Sequence, residues 1–290
     1  MRTFGKWLLI FLAGLLGIAV AGLVALYVTT NSMLEKVYEV EPVSVHIPSR
    51  RPAELTGFQQ MMVSFCTDCH GPAFGGQIID DDPLVGMLAA PNLTSGEGGI
   101  GRDFSDEDWV RAIRHGVDED GTPLLVMPSN TFNFLNEEDL GVIIAYVKAQ
   151  PPVDNTLPKP SIGPIGRLFT LQDPSVLPAE TIDHTAPISP PSEPGVTIER
   201  GAYVAVLCEI CHGPDLSGGP NASSGLNLTP AGNLSTWTEA EFIHSIRTGI
   251  KPDGTEFDPV EMPWKQIGIL SNDDLKSIWL YLQGLPAVEN

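Results

Sequence analysis

The sequence Cys66-Thr67-Asp68-Cys69-His70 returns later in the chain as Cys208-Glu209-Ile210-Cys211-His212, and these two stretches hold all four cysteines among 290 residues. Two residues between paired thiols place both sulfurs along one edge of a flat macrocycle, and a histidine directly after the second thiol can turn back to a metal at its centre. C-x-x-C-H is accordingly the attachment pattern of haem c. A pair of C-x-x-C sequences could also hold zinc or perform thiol exchange. The histidine in both copies favours two covalently bound haem c groups, attached through Cys66, Cys69, Cys208 and Cys211, with His70 and His212 ligating iron. No cysteine is left over for a disulfide.

The two motifs head two copies of one unit. After the first come Asn92-Leu93-Thr94, Ser105 with Asp108-Trp109, Ile113-Arg114, Gly116, Met127-Pro128, Asp139-Leu140 and Tyr146. After the second come Asn227-Leu228-Thr229, Thr238 with Glu241-Phe242, Ile246-Arg247, Gly249, Met262-Pro263, Asp274-Leu275 and Tyr281. In each copy one helix precedes the cysteines, over about Glu54 to Phe65 and Glu199 to Leu207. A second starts at a capping box on Ser105 or Thr238 and stops near Gly116 or Gly249. A third starts after Asn136 or Ser271 with acids in its first turn. No stretch alternates cleanly enough to argue for a sheet, so the fold class is all-α with long glycine-rich loops.

Residues Trp7 to Val28 form an uncharged apolar run of 22 residues, about 33 Å as a helix and enough to cross a bilayer. Arg2 and Lys6 precede it and Glu35, Glu39 and Glu41 follow, which leaves the N-terminus cytoplasmic and the remainder exported. Ala19-Val20-Ala21 resembles a signal-peptidase site, but the apolar run continues past it and exceeds the usual signal core of roughly 7–15 residues. An uncleaved anchor is the preferred reading. The expected organisation is a cytoplasmic segment 1–6, a transmembrane helix 7–28, a juxtamembrane linker 29–51, a first domain 52–152, a proline-rich linker 153–193 and a second domain 194–290. The linker's one apolar patch is Gly163 to Leu171.

A formal charge of −20 excludes nucleic acid as a natural partner and suits steering toward a basic one. The acids crowd into Asp80 to Asp82, Asp106 to Asp108, Asp118 to Asp120 and Glu137 to Asp139 of the first unit.

A haem iron with a second protein ligand carries electrons, and one with an open position does chemistry. The in-register Met127 and Met262, each followed by proline and each 12 residues before the Asp-Leu of the last helix, are the expected distal ligands. Proline keeps that loop from continuing as helix. His115 and His244 do not recur between copies and read as surface residues, and His184 as solvated or locally bonded. Arg114 and Arg247 recur, on a helical face from which a guanidinium could reach a haem propionate. Asn92 and Asn227 suit side-chain hydrogen bonds that order the loop beneath a haem.

These residues resemble class I cytochrome c domains. Pro91-Asn-Leu-Thr94, Gly98-Gly-Ile-Gly101, Arg114-His-Gly116 and Val126-Met-Pro-Ser129 are more narrowly similar to membrane-anchored cytochrome c subunits of bacterial alcohol and gluconate dehydrogenases. Such subunits often have three haem domains and a C-terminal anchor, where this chain has two and an N-terminal apolar run. The resemblance implies two tandem class I domains after one transmembrane helix, on the periplasmic side of the bacterial inner membrane, passing single electrons between redox partners such as a dehydrogenase, a soluble cytochrome or an oxidase. A dihaem peroxidase is the enzymatic rival, and the two aligned methionines speak against it.

Overall fold

The computed structural model describes residues 2–41, 43–50, 52–192, 195–218 and 225–289. The expected boundaries at residues 51 and 193 lie outside the described residues. The first helix, α1 (Arg2–Leu34), includes the whole apolar run. Its large side chains, Trp7, Leu9, Leu16 and Ile18 among them, are exposed around the helix. Such a surface suits hydrocarbon rather than water.

Each repeat is built from matching helices. The helices α2 (Gly57–His70) and α7 (Ile198–His212) open on Thr56 and Thr197, whose side chains accept the third amide. They run through the whole C-x-x-C-H, further than their apolar pattern alone indicates. They end at Gly71 and Gly213 with φ of 75° and 80°, where a side chain would be strained. The next helices differ. In the first repeat α3 (Asp106–Val110) passes into a wide π-helical turn over Arg111–His115 and ends at Gly116. Its counterpart, named below, is regular. Short helices α4 (Ser129–Phe132) and, in the second repeat, α9 (Trp264–Ile267) follow the Met-Pro pairs. The repeats close with α5 (Glu137–Lys148) and α10 (Asn272–Gly284), capped by Asn136 and Ser271. The regular counterpart of α3 is α8 (Glu239–Thr248), with Thr238 and Glu241 forming a reciprocal capping box.

The cores are helix on helix. Leu275, Ile278 and Leu282 of α10 are buried, as are Val204 and Ala205 of α7, which packs against it. Phe58, Met61 and Met62 of α2 and Leu140 and Ile144 of α5 play the same part in the first repeat. The two sets belong to one continuous apolar cluster. Where the repeats meet, Gly57 lies so close to the Ile269 carbonyl oxygen that no Cβ would fit between them.

The all-α expectation needs correction, because a small antiparallel sheet is present. β1 (Gln77–Asp82) pairs with β2 (Gly86–Ala90), and β3 (Ser161–Ile162) joins the other edge of β2. β1 is largely exposed, so no alternation of apolar and polar residues is required of it. The turn supplies the structure instead. Asp82 Oδ1 accepts the Leu84 and Val85 amides at 2.7 and 3.3 Å, a local bond typical of aspartate turns.

The segments expected as linkers are straps on the first repeat. Tyr38 N donates to Gly121 O at 2.9 Å, and Gly141 of α5 lies flush against His46 O. Beyond α5, Asn155 donates to Glu97 O and Gly75 O. A helix, α6 (Pro164–Gln172), follows β3, and Leu177, Ala179 and Ile182 beyond it are buried.

Candidate haem attachment sites

Cys66 and Cys69 sit on the last turn of α2, and Cys208 and Cys211 on the last turn of α7, all as free thiols. Burial pushes Cys66 and Cys208 up to about 12, reinforced by the charges of neighbouring Cys69 and Glu209 among others. Thiols raised in this way are not activated for exchange chemistry. Among the described residues no three metal-binding side chains of His, Cys, Asp or Glu come together, so the two-pair zinc alternative has no geometry here.

His70 Nδ1 lies 2.9 Å from Pro91 O, and His212 Nδ1 lies 2.7 Å from Leu226 O. A ring nitrogen facing a carbonyl must be the protonated one, which leaves Nε2 with its lone pair for a metal. Burial holds both imidazoles below the usual histidine range, against the opposing pull of the carbonyls. Both are thus neutral and able to ligate.

The Met-Pro loops share one backbone shape. Pro128 has φ −78° and ψ 55°, and Pro263 has φ −76° and ψ 59°. The amide two residues after each methionine returns to that methionine's carbonyl at 2.7 Å. The loop base is tied back to the preceding helix, by Leu124 N to Gly116 O at 2.7 Å and by Phe257 N to Gly249 O at 2.8 Å. Met127 and Met262 are both half-buried against the apolar cluster. In the first repeat Val126 takes φ 60°, a strained conformation for a β-branched residue. The strap fixes it there, because Val126 N donates to Val176 O at 3.0 Å.

The recurring arginines hold these loops by backbone. Arg114 Nη1 donates to Asn133 O at 2.7 Å and Nη2 to Ala186 O at 2.8 Å. Arg247 donates to the equivalent Gly268 O and, at 2.9 Å, to Asn272 Oδ1. Each guanidinium thus clamps the carbonyl that ends the short helix after Met-Pro. Asn92 donates to Val153 O at 2.7 Å and accepts the Thr94 amide at 3.0 Å. Asn227 repeats this with Val288 O at 2.7 Å and the Thr229 amide at 2.8 Å. Each asparagine therefore ties the proximal loop to the chain leaving the last helix.

His115 is not on the surface. It is 2% exposed, and its Nδ1 lies 3.1 Å from His184 Nδ1. Burial, then the Arg114 charge, lowers its pKa to about 4. His184 is bonded locally, to Ala179 O at 3.0 Å, and His244 is exposed. The sequence alone gives Trp109 no role at the site. It is buried, and its indole N–H has no partner among the described residues. Paired cysteines and oriented imidazoles together fit covalent haem c.

Residues 53–147 match the family described as cytochrome c oxidase, cbb3-type, subunit III. The chain is 27% identical over 258 positions to the cytochrome c subunit of the quinone alcohol dehydrogenase of Gluconacetobacter polyoxogenes, covering 77% of this chain and 53% of that protein. It is 25% identical over 280 positions to the fructose dehydrogenase cytochrome subunit of Gluconobacter japonicus, covering 86% and 55%. It is 25% identical over 263 positions to the gluconate 2-dehydrogenase cytochrome c subunit of Pantoea cypripedii, covering 77% and 57%. The chain spans little more than half the length of these relatives. The chain therefore carries a cytochrome c domain over residues 53–147, and over most of its length it is similar to cytochrome c subunits of dehydrogenases.

Proposed function

We propose that this chain is a dihaem cytochrome c, held in the cytoplasmic membrane by α1, that relays single electrons on the periplasmic side as the electron-transfer subunit of a dehydrogenase complex. The observation that carries the reading is the repeated pairing of a carbonyl-oriented histidine, His70 or His212, with a Met-Pro loop of one backbone shape. Haem c supplies a one-electron couple. The chain attaches it through Cys66, Cys69, Cys208 and Cys211, offers Nε2 of each histidine and the Sδ thioethers of Met127 and Met262, and orders the proximal loops through Asn92 and Asn227. With both a histidine and a methionine bound, each iron would keep no site for substrate, which would separate this protein from a peroxidase. The relatives' names favour dehydrogenase partnership over a free carrier, and co-purification of a dehydrogenase subunit from native membranes distinguishes the two.

The first prediction concerns number. Pyridine haemochrome assay should give two haems per chain, and Cys66→Ala with Cys69→Ala should leave one, retained through denaturation. One haem in the unmutated protein would sink the dihaem reading.

The second concerns docking. The first unit is the more acidic, yet several of its acids are occupied. Asp108 bonds Ser105 and Arg111, and Asp139 bonds Gln59. Asp81 and Asp82 are exposed on β1, Asp82 while also holding the turn through Oδ1, so they form the proposed face for a basic partner. Exposed charge acts on encounter rate over a Debye length of about 8 Å. Electron transfer to a small basic cytochrome should slow as salt rises, and Asp81→Asn with Asp82→Asn should flatten that slope. A slope unchanged by these substitutions would remove the face.

A further inference from the structure

The helix α6 presents its polarity the wrong way round for a water-soluble protein. Its inward positions are small, Gly166 and Thr170, and Gly166 lies so close to the Val85 carbonyl oxygen that no Cβ would fit between them. Its outward positions are Ile165, Leu168 and Phe169, which are 38%, 46% and 50% exposed. Their spacing of three and four residues puts them on one stripe. Leu84, at the tip of the β1 to β2 turn and 53% exposed, adjoins the start of this helix, where Ile165 N donates to Leu84 O at 2.8 Å.

This helix is fastened to one level of α1. The Arg167 guanidinium stacks over the Tyr27 ring at 4.2 Å and donates to Thr30 Oγ1 at 2.5 Å and Asn31 Oδ1 at 2.7 Å. Tyr27 and Val28 end the apolar run, so Arg167 marks the level at which α1 leaves hydrocarbon. A tyrosine and an arginine suit that boundary, with apolar body inside and polar end outside.

We infer that α6 is an interfacial helix, seated with Ile165, Leu168 and Phe169 in the outer leaflet of the bilayer that α1 crosses. The inference rests on the reading of α1 as an anchor. The occupant follows from continuity, because the apolar stripe adjoins the lipid-length surface of α1. Charge does not supply the attraction. Asp80, Asp81 and Asp82 on β1 and Asp173 after α6 disfavour attraction to anionic headgroups, so apolar insertion drives the seating. With α1 as one attachment and α6 as a second, the first haem-bearing unit cannot swivel freely about the anchor, and the strap that carries α6 also holds Val126.

The test uses the haem-loaded full chain in phosphatidylcholine vesicles, with both irons reduced. The native cysteines are then thioethers, and a nitroxide label can be placed singly through Phe169→Cys, Leu23→Cys or Val260→Cys. Val260 is 89% exposed and serves as the aqueous reference. Relaxation by oxygen against relaxation by a nickel chelate reports depth. Position 169 should share the oxygen preference of position 23 and differ from position 260. Nickel preference at 169 with oxygen preference at 23 would place α6 in water and overturn the inference alone. Shielding of 169 from both reagents would show protein on the stripe and overturn it likewise. Nickel preference at 23 would overturn the anchor reading and, with it, the seating of α6.

Discussion

Replacing Met127 or Met262 by alanine is expected to remove about half of the weak sulfur-to-iron absorption at the red edge of the oxidised spectrum, because each repeat contributes one thioether ligand. Potentiometric titration should show one couple displaced downward and the other unchanged, since methionine opposite histidine raises the potential. The loop geometry adds a sharper expectation. Arg114 bonds the carbonyls of Asn133 and Ala186. Arg114→Leu leaves both carbonyls without their donor, at a cost of about 1–3 kcal/mol, and frees the end of α4. It should weaken the band of the first repeat while the haem count stays at two. Arg247→Leu should act on the second repeat alone. A band left at full strength in both methionine variants would show that neither thioether ligates iron, and a full band in Arg114→Leu would confine that arginine to structure.

What can be read from sequence is what chemistry fixes locally. The cysteines and histidines must stand at their spacing, and the capping residues Ser105, Thr238 and Ser271 act within one turn. The straps are opaque for a physical reason. Residues 153–192 bind in part through backbone groups, such as Val176 O and Ala186 O, and contacts made that way leave no apolar period in the sequence. His115 reads as a surface residue through the same gap. Its counterpart Thr248 is exposed, because no segment equivalent to Leu177–His184 covers the second repeat among the described residues. Repetition therefore predicts the shared frame and fails where one copy has acquired a cover. The sheet escapes because β1 is largely exposed and needs no apolar alternation, so the signal lies in the turn after Asp82.

The largest stability effect is expected at Arg200, where the two repeats are joined. Its Nε donates to Asp274 Oδ1 at 2.7 Å, and Nη1 donates to Ser192 Oγ at 2.9 Å. Its guanidinium also lies 5.3 Å from the Phe58 ring of the first repeat and 5.6 Å from the Tyr203 ring. Tyr203 in turn donates to Asp139 Oδ2 of the first repeat at 2.7 Å and accepts the Asn136 amide at 3.2 Å. The Asp274 side chain is 8% exposed, so loss of its cation leaves a buried carboxylate with only the neutral donors of Ser271. Arg200→Met should therefore cost about 3–5 kcal/mol, and adding Asp274→Asn, which removes the stranded charge but keeps an acceptor for Ser271, should restore much of that. Tyr203→Phe should cost less, about 1–3 kcal/mol, because Asp139 keeps its bonds from Gln59 and Asn136. Urea unfolding of the haem-loaded protein measures all three. A cost below about 1 kcal/mol for Arg200→Met would mean that water already solvates the pair. Coupling has a second signature. If this contact makes the repeats unfold together, Arg200→Met should split one transition into two, and a single transition with an unchanged slope would assign that cooperativity to the shared apolar cluster instead.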